Sequence, residues 1–81
     1  MNTENLITRI TVNPAVMLGK PTIRGMRITV EQLLQALSRG VSERELFEEY
    51  PELEKEDIQA VFTYVTALVE EEQVFPVRVS A

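Results

Sequence analysis

The 81-residue chain contains neither cysteine nor histidine. Without cysteine it can form no disulfide and no thiolate metal site. Without histidine it lacks the most common general base and the most common zinc ligand. Nucleophilic triads need such a base, and the remaining carboxylates follow the pattern of a solvated helix surface. We therefore expect a protein that is not an enzyme, with no metal, no cofactor and no small-molecule substrate.

Long apolar runs are also missing. No stretch approaches the roughly 20 apolar residues that a membrane span requires, and the first five residues show no basic region ahead of an apolar segment. The lack of cysteine suits a reducing compartment. We expect a cytoplasmic protein with no membrane partner.

The charge is unevenly distributed along the chain. Residues 1–44 carry six basic and three acidic side chains, a net charge of +3, whereas residues 45–81 carry two basic and ten acidic ones, a net charge of −8. A chain of this length builds one domain, here residues 1–81, and such small cores usually gain stability from a partner. An acidic protein with a basic first half indicates surfaces that bind other macromolecules.

Residues 6–28 predict a β-hairpin region. Residues 6–12 are rich in β-branched types and end at a turn signal, Asn13-Pro14. Gly19 and Pro21 mark a second turn, residues 22–24 a second extended segment, and Gly25 a bend.

Residues 29–72 predict three helices with regular start and stop signals. The start signals are hydroxyl caps followed three residues later by Gln or Glu, at Thr29 with Gln32 and at Ser42 with Glu45. Gly40 ends the first helix and Pro51 stops the second. A short second helix, a tight turn and a longer third helix is the order of helix-turn-helix domains.

The third helix begins near Glu54, a weak cap, with Asp57 in the reciprocal position of the capping box. Its apolar stripe is predicted to be buried over about three turns and consists of Ile58, Val61, Phe62, Val65, Leu68 and Val69. The predicted fold is thus mainly α: a short N-terminal β-hairpin, a three-helix homeodomain-like or helix-turn-helix unit, and a short extended tail over residues 73–81.

Three cations, Lys20, Arg24 and Arg27, lie on the glycine- and proline-shaped turn and are candidates for nucleic-acid contact. The alternative is structural, in which Arg24 or Arg27 forms an ion pair with the acidic third helix. The tail offers candidates for partner binding, because it is dense in apolar residues for a free end: Val74, Phe75, Val77 and Val79. Its alternative interpretation is a disordered terminus.

These motifs in combination resemble a bacterial family, domain of unknown function 433. The resemblance covers roughly residues 7–72 and rests on Gly19-Lys20-Pro21-Thr22-Ile23-Arg24-Gly25, then Arg27-Ile28, Gly40-Val41-Ser42 and Tyr50-Pro51-Glu52-Leu53. The chain departs from the family pattern at Met26, Thr29 and Glu54. The resemblance implies a homeodomain-like helical fold, a likeness to VapB-type antitoxins and a neighbouring PIN-like ribonuclease toxin. It implies no catalytic residues.

Three functions follow as hypotheses. The leading one is an antitoxin that binds and neutralises a cognate PIN-like ribonuclease toxin, forms a homodimer and autoregulates its own promoter. The second is a DNA-binding transcriptional regulator of helix-turn-helix type that acts through the three turn cations. The third is a structural homo-oligomer.

Overall fold

The computed structural model describes residues 6–71, and the predicted tail, with Val74, Phe75, Val77 and Val79, lies outside that range. The elements, in chain order, are strand β1 (Ile10–Thr11), a 3-10 turn (Met17–Gly19), strand β2 (Thr22–Ile23) and helices α1 (Val30–Ser38), α2 (Glu43–Glu49) and α3 (Lys55–Glu71). The prediction of a mainly helical fold with a small N-terminal hairpin is confirmed.

The hairpin is shorter than the sequence predicts. β1 and β2 pair antiparallel, with Ile10 opposite Ile23. The prediction of a strand over residues 6–12 is wrong outside Ile10–Thr11: residues 6–7 are helical and residues 8–9 form a turn, the Arg9 amide donating to the Leu6 carbonyl at 3.0 Å. The partner strand sets this limit, because β2 ends where Arg24 enters the left-handed region at φ +47°. The Arg24 amide still donates to the Arg9 carbonyl at 2.7 Å, and the described pairing of the hairpin ends there.

The helix caps form largely as the sequence predicts. The Thr29 hydroxyl accepts from the Gln32 amide, and the Gln32 side chain accepts in turn from the Thr29 amide, a complete capping box. The Ser42 hydroxyl accepts from the Glu45 amide at the start of α2. Gly40 follows α1 at φ +90°, a conformation in which a Cβ would be strained.

A single core joins the hairpin to the helices. Its buried members come from β2, from the turns before α1 and before α3, and from all three helices: Ile23, Ile28, Val30, Leu33, Leu46, Leu53, Ile58 and Val61. Thr22 is also buried and its hydroxyl lies 3.1 Å from that of Thr11 across the hairpin. The small β element is therefore part of the core.

The apolar stripe of α3 is only half buried, which corrects the predicted three-turn burial. Ile58 and Val61 are buried, whereas Phe62, Leu68 and Val69 are exposed. A 17-residue helix spans about 26 Å, longer than the core formed by two short helices and a hairpin, so the part of α3 after Val65 extends beyond the core. Within residues 6–71, no helix is both long and apolar enough to cross a membrane.

Candidate protein-binding site and the ion cluster that positions it

The base of α3 is fixed by one fully buried carboxylate, Asp57. Arg24 donates to both of its oxygens, from Nε to Oδ1 at 3.0 Å and from Nη2 to Oδ2 at 2.9 Å. Arg9 Nη1 donates to Oδ1 at 2.9 Å, and the Glu54 amide donates to Oδ2 at 2.9 Å. Two-pronged Arg–carboxylate pairs are among the strongest polar contacts in proteins. We call Arg9, Arg24, Glu54 and Asp57 the ion cluster.

The ion cluster also connects the hairpin to the turn between α2 and α3. Arg9 bridges to the Glu54 carboxylate at 2.7 Å, and Arg24 Nη2 donates to the Glu52 carbonyl at 2.8 Å. Both arginines stand at the ends of strands, and the two acceptors precede or begin α3. The direction in which α3 leaves the core is therefore set by these contacts.

Ionisation of Asp57 is maintained by these donors. Burial opposes the charged form, but hydrogen bonds from Arg24, from the Glu54 amide and from Arg9 outweigh it, so the pKa of Asp57 lies below its ordinary value. Hydrogen bonds to Glu54 and then Asp57 raise the pKa of Arg9, and the bond to Asp57 raises the pKa of Arg24. All three groups are charged at neutral pH.

The lowered pKa of Asp57 predicts loss of stability in acid. Because the folded pKa is below the unfolded value of about 3.9, the stabilisation is fully present above about pH 4 and is lost as the pH falls through the folded pKa. The free energy of unfolding of the wild type should exceed that of Asp57→Asn by a constant amount from about pH 5 to 7, and this difference should shrink below about pH 4. Urea unfolding at each pH measures it. A difference that stays constant down to pH 2 contradicts the assignment.

The three predicted nucleic-acid contacts are in different environments. Arg24 belongs to the ion cluster, which is the structural alternative considered for it. Lys20 Nζ pairs with Glu31 Oε1 at 2.9 Å, both side chains being about half exposed. Arg27 is exposed and makes no ion pair with any residue in the range 6–71. Of the three, Arg27 is the cation that remains available to a phosphate, and nucleic-acid binding by this group stays a prediction.

The turn residues chosen from sequence occupy the bends of the described chain. Gly19 and Gly25 have φ values of +80° and +73°. The Pro21 carbonyl accepts from the Val30 amide at 3.0 Å, which ties the turn to α1. Pro51 follows Tyr50, the C-cap residue of α2. Together these bends hold the hairpin against the helices.

The second half of α3 presents an apolar strip to solvent, formed by Val65, Leu68 and Val69. Val65 is half-buried, Leu68 is 40% exposed and Val69 is 55% exposed. At 100° per residue, these three side chains lie within an arc of about 100° on the helix. The arc continues the core-facing line of Ile58 and Val61. Val65 packs against the edge of the core, and Leu68 and Val69 extend the same apolar surface past it.

Two open grooves lie elsewhere on the surface. The turn groove, about 380 Å³, is lined by Pro14, Ala15, Met17, Leu18, Lys20 and Arg27. The helix groove, about 350 Å³, is lined by Ile7, Phe62, Thr63, Thr66, Ala67 and Glu70. Thr66 and Glu70 lie about 160° around α3 from Leu68. Phe62, at another edge of the helix groove, lies only about 20° around α3 from Val69, so the helix groove adjoins the apolar strip but shares no residue with it.

The turn groove contains a backbone conformation that sequence reasoning missed. Met17 and Leu18 have φ values of +49° and +58°, and Gly19 continues the same left-handed turn. Residues other than glycine adopt this region at a cost of about 1–2 kcal/mol each. The turn projects Leu18, whose side chain is 94% exposed.

Arg9 is the other residue that sequence reasoning missed. It was placed in a strand, where its partner could not be foreseen. The available signal was Asp57, a carboxylate at a helix start beside the buried Ile58. Such a carboxylate needs compensating cations if it is buried.

No group of three or more acidic residues within 6–71 is arranged to hold a metal ion.

Comparisons with known proteins agree with the family resemblance. Residues 10–65 match the family described as "Protein of unknown function (DUF433)". A crystal structure of a DUF433 member protein from Anabaena variabilis is 32% identical, with a TM-score of 0.72, and the alignment covers 84% of this chain and 67% of that one. Among curated proteins, none matches this chain. The chain belongs to the DUF433 family.

Proposed function

We propose that this protein is a cytoplasmic antitoxin-like binding module that neutralises a PIN-like ribonuclease toxin by laying the second half of α3 against it. The observation that carries the proposal is the apolar strip of Val65, Leu68 and Val69. It lies on a helix whose base is held rigidly by the ion cluster. An apolar helix face presented in this way is a common means of binding a groove on a partner.

The electrostatics of α3 fit such a partner. Glu71 lies beside the strip, about 60° around α3 from Leu68, and Glu70 lies about 100° from Val69. Neither forms an ion pair with another residue between positions 6 and 71. A ribonuclease binds RNA through a basic surface, so an acidic helix is complementary to it and disfavours other acidic partners. The apolar residues supply the buried contact and the carboxylates supply the orientation.

Co-purification tests this function. The full chain is co-expressed with the product of the neighbouring reading frame, and the mixture is analysed by gel filtration. We expect one co-eluting complex and loss of ribonuclease activity. Leu68→Gln with Val69→Gln should weaken the complex at least tenfold, about the loss expected when two apolar side chains no longer become buried.

Val12→Gln is the matched control. Val12 is an exposed apolar residue, but it lies outside the strip and both grooves, and its replacement should leave the complex unchanged. A ribonuclease-like neighbour that never co-elutes with the wild type refutes the function. A complex equally tight with the double variant refutes the strip as its binding surface.

The order of α2, a tight turn and the longer α3 supports a second candidate, autoregulatory DNA binding. It ranks second because Lys20 and Arg24 are paired with carboxylates, and the first turn of α3 contains Glu56 and Asp57. Binding of the chain's own promoter should fall steeply with salt and should weaken with Arg27→Glu. Promoter affinity that does not respond to either change excludes this mode.

A further inference from the structure

We propose that the chain binds a second copy of itself, and that the turn groove of one copy contacts the helix groove of the other. This contact does not depend on the proposed function, because no residue of the apolar strip lines either groove. Leu18 of one copy would insert between Phe62 and Ala67 of the second copy.

The first observation is the strained turn that presents Leu18. Two consecutive non-glycine residues in the left-handed region, Met17 and Leu18, lower the stability of the isolated chain. The same turn leaves an aliphatic side chain 94% exposed at its tip. A rigid backbone that projects one apolar side chain binds with little loss of conformational entropy.

The second observation is a receptor of suitable size and character on the same chain. A cavity of about 150 Å³ holds a benzene ring, so the helix groove, at about 350 Å³, has ample room for a leucine side chain. Phe62 is 49% exposed at its edge and would in turn pack against Pro14 and Met17 in the turn groove. Both grooves would then bury apolar surface.

The third observation is charge complementarity across the contact. Arg27 lies in the turn groove and Glu70 in the helix groove, and neither is paired with any residue of the described part of the chain. Lys20 is held only by an exposed pair with Glu31, which is a weak interaction in water. Arg27 of one copy can therefore pair with Glu70 of the second copy. Lys20 can release Glu31 of its own copy and pair with the second copy instead. An apolar partner rimmed by a carboxylate fits this groove better than a nucleic acid, which would leave Leu18 without an apolar contact.

Sedimentation of the full chain from about 10 µM to 1 mM tests self-association, since small contacts of this kind are at the weak end of protein interfaces. We expect the average mass to rise with concentration and the association constant to fall several-fold at 0.5 M NaCl, where ion pairs are screened. Leu18→Asn should lower the association constant at least tenfold.

The variant Leu18→Asn separates binding from folding, because asparagine tolerates the left-handed region better than leucine. Its melting temperature by circular dichroism should equal or exceed that of the wild type. Val12→Asn, which removes another exposed apolar side chain outside both grooves, should associate like the wild type.

A charge exchange identifies the surfaces. Arg27→Glu alone and Glu70→Arg alone should each fail to associate, because like charges then meet across the contact. An equimolar mixture of the two variants should associate again. A wild type that stays monomeric throughout the range, association that survives Leu18→Asn, or a mixture that does not recover would each overturn the proposal.

Discussion

Replacing Arg9 and Arg24 together by methionine is expected to lower the free energy of unfolding by about 3–5 kcal/mol. The reason is that Asp57 has no exposed surface. After the double substitution its carboxylate keeps only the Glu54 amide as a donor within the described cluster. A buried charge without a counter-charge is among the most destabilising features in a protein. Small domains have only about 5–15 kcal/mol in total, so much of the stability would be lost.

Urea unfolding followed by circular dichroism measures this effect. Lys20→Met is the control, because it removes an ion pair that is exposed on both sides, and it should change the free energy of unfolding by less than about 1 kcal/mol. Adding Asp57→Asn to the double variant should restore part of the loss, since the buried group is then neutral. Equal effects for Lys20→Met and the double variant would show that burial of Asp57 does not govern the stability of the cluster.

The features that sequence reasoning predicted are those encoded locally. The capping box of Thr29 and Gln32 spans four residues, and its two hydrogen bonds require only that α1 begin there. Gly40 ends α1 for an equally local reason, the positive φ that follows the helix. Neither depends on knowing what packs against the helix.

The features that were missed depend on contacts distant in sequence or on unusual backbone. Arg9 lies 48 residues from Asp57, and an arginine near a strand has no periodicity that names its partner. The sequence predicts an ion pair of Arg24 or Arg27 with the acidic third helix as one alternative to nucleic-acid contact, and it does not single out Asp57 as the partner. Leu18 carries no signal of a positive φ, because leucine favours the right-handed region and nothing in its side chain stabilises the other.

The length of α3 is predicted correctly from the sequence, but the predicted burial of its whole apolar stripe is wrong. The stripe from Ile58 to Val69 has regular helical spacing along its whole length, and periodicity alone cannot tell core from interface. Whether a part of the stripe belongs to the core or to an interface depends on the size of the rest of the fold. The residues packed on α3 come from two short helices and a two-stranded hairpin, which cover it only as far as Val65.

Leu33→Ala is expected to lower the free energy of unfolding by about 2–5 kcal/mol, whereas Leu68→Ala should lower it by less than about 1 kcal/mol. The substitution is the same, but Leu33 is fully buried in the core and Leu68 is 40% exposed on the second half of α3. The atoms removed by the substitution leave a cavity only at Leu33. Urea unfolding of the two variants compares them directly.

If Leu68→Ala were as destabilising as Leu33→Ala, the strip would already be covered within the folded chain. It could then bind a toxin only by first giving up that contact. A small effect at Leu68, combined with loss of the toxin complex when Leu68 and Val69 are changed to glutamine, would mark the strip as a surface kept for binding rather than for folding.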